Sequence, residues 1–102
     1  MYRPIIATQL QQVIDLMYKI NNRQYANNTD MPLVSIEFNG GDGWLDVRIH
    51  PKGSATKTNQ HIFKDVNLFA ENKASEQLDK IIKLLDLIYI EKKEKEKELD
   101  GE

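Results

Sequence analysis

The chain contains no cysteine. That excludes disulfides, thiolate nucleophiles and every cysteine-based zinc site, and it suits a protein kept inside the cell. Histidine is also scarce, with His50 and His61 the only two. Metal binding or acid–base chemistry would therefore have to use both, with a carboxylate such as Asp46 or Asp65, and no ligand spacing supports that. Uninterrupted apolar runs of membrane-spanning length are missing too. The longest apolar stretch, around Leu78–Ile90, is shorter than the ~20 residues a span needs and holds Lys83 and Asp86. The N-terminal Met1-Tyr2-Arg3-Pro4-Ile5-Ile6 has no long apolar core of the secretory kind, so the expected location is cytoplasmic.

Acidic residues are absent from one segment, Val47 to Lys64, which carries Arg48, His50, Lys52, Lys57, His61 and Lys64. Net charge over the whole chain is nevertheless −2, which argues against a general polyanion binder. The imbalance is regional. Residues 1–64 hold seven Lys/Arg against five Asp/Glu, and residues 65–102 hold seven against eleven.

What the chain does have is strong periodicity. Leu78, Ile81, Ile82, Leu85, Ile88 and Tyr89 recur at spacings of three and four, which predicts a helix opening near Ser75. Leu84, Leu87 and Ile90 fall outside that stripe. They predict either a deeply buried central helix or a second contact surface, most simply against another copy of the chain. From Glu91 to Glu98 the sequence alternates Glu and Lys, as a solvated helical extension does. At the other end, Thr8-Gln9-Leu10-Gln11 matches a capping box. Leu10, Val13, Ile14, Met17 and Ile20 then mark a helix over about 8–22.

Between the helices the period changes to two. Val34, Ile36 and Phe38 alternate with Leu33, Ser35 and Glu37. The run Asn39-Gly40-Gly41-Asp42-Gly43 is a turn signal, and Trp44–His50 is a return strand with Leu45, Val47 and Ile49 on one side. A third strand is expected at 60–64, while 65–72 reads equally as strand end, turn or helix lead-in.

The expected fold is α+β. It is a small two-layer domain with an antiparallel β-meander of two to three strands, flanked by an N-terminal helix and a long C-terminal helix. Residues 1–92 make the domain and 93–102 a charged, fraying tail. No internal repeat or linker divides it.

No arrangement commits the chain to catalysis. The glycines at 40–43 join two strands, whereas phosphate loops lead into a helix N-terminus. Gly53-Ser54-Ala55-Thr56-Lys57-Thr58 lacks the glycine before Lys57 that a nucleotide loop needs. The leading expectation is thus a non-enzymatic protein that takes no cofactor and works through protein contacts and homodimerisation. Its interface candidates are Leu84, Leu87, Ile90, Trp44 and Leu33. Richness in Asn, Lys and Ile suggests an AT-rich bacterial or phage genome, and a small chain without cysteine or motif suggests a phage- or mobile-element-encoded accessory protein. The alternative is a weak nucleic-acid module, with Trp44 stacking on a base and Arg48, His50, Lys52, Lys57, His61 and Lys64 meeting phosphates.

Overall fold

The computed structural model describes residues 4–22, 31–51 and 61–100. Helix α1 (Pro4–Asn21) leads to strands β1 (Leu33–Asn39), β2 (Trp44–His50) and β3 (His61–Asn67), and then to helix α2 (Glu71–Asp100). The sheet is antiparallel, in the order β1-β2-β3. The α+β expectation holds, with three strands.

Both helices lie side by side on one face of the sheet, α1 toward β1 and α2 toward β3. The core is what the two periodicities converge on. Leu45, Val47 and Ile49 project from the central strand and are completely buried. They meet Ile6, Val13 and Ile20 from α1 and Leu78, Ile81 and Leu85 from α2. Each such side chain contributes ~1.5–3 kcal/mol when taken from water.

Both helices begin a turn earlier than the sequence implies. α1 opens on Pro4, a residue favoured at the first helical position. Thr8 and Gln9 consequently sit inside it, and Gln9 reaches across to donate from Nε2 to the Ser75 carbonyl (3.1 Å). Ser75 is thus an interior residue of α2 and not its cap. α2 begins at Glu71, after a tight turn in which Asn67 Oδ1 accepts from the Phe69 amide (3.0 Å). It runs without a break through the charged repeat.

The third strand extends further than expected, to Asn67, because it contains a bulge. Leu45 pairs with Val66 and Val47 with Phe63, so Lys64 and Asp65 together oppose Asp46. The extra residue corrects the parity. Phe63 and Val66 are three apart, yet both face the helices, and Val66 is fully buried. Asp65 takes up the turn with φ 58°, and its amide donates to Asp46 Oδ1 (2.7 Å). Asp tolerates this left-handed conformation better than most residues do.

At the hairpin, Gly43 has φ 70° and the Phe69 ring lies directly over it. A Cβ there would come within 2.5 Å of that ring. Only glycine allows the turn and this packing together.

Phe38 does not join the core. Burial falls along β1 from Val34 through Ile36 to Phe38, which is 49% exposed. The helical layer covers the start of this edge strand and leaves its hairpin end bare.

A buried cation ties the two helices together. Lys92 on α2 is only 4% exposed. Its Nζ donates to the carbonyls of Lys19 (2.8 Å) and Asn22 (2.6 Å), with Glu96 Oε2 at 3.9 Å. The C-terminal carbonyls of α1, which have no partner within the helix, are thereby satisfied from the neighbouring helix. Beside it, Asn21 bonds both ways to Val34, its Nδ2 donating to the carbonyl (2.7 Å) and its Oδ1 accepting from the amide (2.8 Å). Lys92→Met keeps the apolar stem but strands two carbonyls, and is expected to cost ~1–3 kcal/mol. The neighbouring exposed Lys93→Met should stay within ~0.5 kcal/mol. Urea titration checks both, since the midpoint should fall for the first variant with the slope unchanged.

Candidate functional site

The two-layer arrangement leaves the second face of the sheet uncovered among the described residues. The register assigns its occupants. Leu33 stands opposite His50, Ser35 opposite Arg48, Glu37 opposite Asp46, and Asn39 opposite Trp44. From β3, Ile62 lies beside Arg48 and Asn67 beside Trp44. Trp44 is 41% exposed and Ile62 55% exposed. Leu33 is half-buried on the same face, at the opposite end from Trp44.

Two shallow concavities follow this face. One, of about 260 Å3, is bordered by Glu37, Phe38, Asn39, Trp44, Asp46 and Asp65. The other, of about 180 Å3, is bordered by Ser35, Ile36, Glu37, Asp46, Arg48 and His50. They share Glu37 and Asp46 and so form one groove. Its charge changes along the strands, with three carboxylates and the rings of Phe38 and Trp44 at the hairpin end and Arg48 and His50 at the other. Glu37 and Asp46 are direct cross-strand neighbours, a like-charge placement that costs stability. Among the described residues Arg48 forms no ion pair.

The residues expected at an interface divide between two surfaces. Trp44 and Leu33 share the open sheet face. Leu87 (59% exposed) and Ile90 (53% exposed) lie on the side of α2 away from the core. Leu84 belongs to neither surface. It is half-buried and packs against the core, so the expectation that it lacks a partner within the chain is corrected. Its position on the flank of the buried stripe brings it within reach of the helix–helix seam. Ile62 and Phe38 are apolar contributors that the sequence did not single out. Ile62 is exposed by parity, because its neighbours His61 and Phe63 take the other side of the strand.

The basic set also separates. Trp44, Arg48 and His50 share the open face, and Lys64 is exposed at the bulge. Lys52 and Lys57 lie outside the described residues. The register puts His61 on the side of Ile49 and His50 on the side of Arg48, so the two histidines belong to opposite faces. Among the described residues Glu37, Asp46 and Asp65 sit beside these basic groups, so the face carries both signs of charge.

Among the described residues no three His, Asp or Glu side chains are grouped to hold a metal ion. No helix of the described residues is long and apolar enough to cross a membrane. No family model matches this chain, and the curated proteins and solved structures contain no significant match either.

With His50 and His61 on opposite faces, added zinc should find no shared site. Both imidazole NMR signals are expected to stay in place during a zinc titration at neutral pH. Joint movement at stoichiometric metal would show that the histidines meet.

Proposed function

We propose that this is a small, non-enzymatic intracellular interaction protein that acts through protein contacts and forms a homodimer. The observation that carries the reading is the face of the sheet left uncovered among the described residues. A sheet normally buries both faces or keeps one polar, whereas this one presents Trp44 and Ile62 half-exposed, with Leu33 partly so. Aromatic and Arg side chains are enriched in interface hot spots, and here Trp44 and Arg48 stand on one central strand.

The dimensions set the affinity class. Three strands ~4.8 Å apart, each of seven residues rising ~3.4 Å, present a face roughly 14 by 24 Å. Pairing two such faces covers roughly 700 Å2 of flat area, the range of weak and transient interfaces. The dimer is therefore expected to be micromolar rather than obligate.

Light scattering across a concentration series tests the reading. The mass should rise from monomer toward dimer as concentration enters the high micromolar range. Trp44→Glu with Ile62→Glu should return it to monomer, and Leu87→Glu should leave it unchanged. A monomer at every concentration would overturn the proposal, and dissociation by Leu87→Glu alone would move the interface to α2. Single-stranded DNA titrated at low salt serves as the opposing arm. Binding with a negative log–log salt slope would favour the nucleic-acid alternative.

A further inference from the structure

We infer that the dimer is isologous and that its register is set by charge, with Arg48 of each copy lying over the Glu37–Asp46 rung of the other. This rests on the open sheet face being the interface.

The groove is polarised along the strands. Its hairpin end carries Glu37, Asp46 and Asp65 around Trp44, and its other end carries Arg48 and His50. A face of this kind repels a copy laid over it in the same direction. It attracts a copy turned end for end. A two-fold axis running across the strands, between the Asp46 and Arg48 rungs, performs that turn and places β2 over β2. Arg48 then stands above the partner's Asp46, and Trp44 above the partner's His50. Strands in the two sheets stay nearly aligned, as face-to-face sheet packing prefers. In an isologous contact the pairing occurs twice, so one complementary pair of rungs supplies both halves.

Two features of the monomer fit this occupant. Glu37 and Asp46 are adjacent like charges, and a guanidinium brought between them relieves their repulsion. Asp46 uses Oδ1 for the Asp65 amide, but a carboxylate has about four acceptor positions and can still receive an Arg. Arg48, for its part, reaches the interface without an ion pair to break among the described residues. A polyanion would meet the carboxylates at the hairpin end, and a uniformly basic partner would meet Arg48. A second copy satisfies both ends.

A charge-swap experiment tests the register. Arg48→Glu alone faces the partner's carboxylates with another carboxylate, and Glu37→Arg alone sets cation against cation. Each variant should raise the dimer Kd by about tenfold or more. Mixing the two variants should restore association as a heterodimer, because each then supplies what the other lacks. Kd of the wild type should also rise with salt. Arg48→Gln keeps the test usable if Arg48→Glu fails to fold, and should weaken the dimer less. A wild-type dimer that tolerates both single variants, or a mixture that fails to associate, would overturn the register while leaving the sheet interface standing. A wild type that is monomeric throughout would overturn both.

Discussion

The Lys92 ammonium against the C-terminus of α1 is the contact on which the rest of the structure depends. A helix that ends at a surface leaves carbonyls without donors, and water normally supplies them. Here α2 supplies them, from a side chain that is itself buried. The position matters more than the number of bonds. The same turn of chain carries Asn21, whose amide is locked to Val34 at the start of β1. One junction thereby sets where α1 ends, where α2 lies against it, and where the edge strand enters the sheet. Tyr89 reinforces the same corner, with the Nζ atoms of Lys19 (5.7 Å) and Lys93 (5.3 Å) both over its ring.

The opposite end of the molecule is organised by backbone geometry instead. Gly43 turns the first hairpin and accepts the Phe69 ring, and its carbonyl accepts the Leu68 amide (2.8 Å). The bulge at Lys64–Asp65 then restores Val66 to the core side. Two local irregularities therefore allow one central strand to be buried completely on its helical side. They also collect Glu37, Asp46, Asp65 and Trp44 around one concavity on the other side. The polarity of the open face is a by-product of how the buried face is closed.

A small two-layer domain of this kind has apolar material left over. Once α1 and α2 have covered Leu45, Val47 and Ile49, no element among the described residues remains for the far side of the sheet. Trp44, Ile62 and Leu33 stay there beside charged neighbours, and Leu87 and Ile90 stay on the outside of α2. The sheet side sets Trp44 and Ile62 within a charge pattern that can complement itself, whereas Leu87 and Ile90 on α2 stand among Lys, Asp and Glu with no such pattern. That contrast is why the proposed contact is placed on the sheet.

Much of the architecture was legible in the residues themselves. Spacings of three and four marked both helices, alternation marked β1 and β2, and Asn39–Gly43 marked the turn, because each pattern reflects geometry repeated over near neighbours in the chain. The candidate site was only half legible. Trp44, Arg48 and Leu33 were placed on a shared face by strand parity alone. A third strand was expected over 60–64, but its reach to Asn67 and the placing of Ile62 on the open face follow only from the bulged pairing of β3 with β2. Leu84 looked unpartnered because a helical stripe has no width until a second helix lies beside it. Phe38 looked buried because alternation cannot say where cover runs out. The parting of His50 from His61 needed the pairing register of two strands separated by a loop. Lys92 sat unremarked in a run of Lys and Glu. Its burial depends on the end of α1, about seventy residues earlier, arriving at that one position, and only the tertiary structure decides such a meeting.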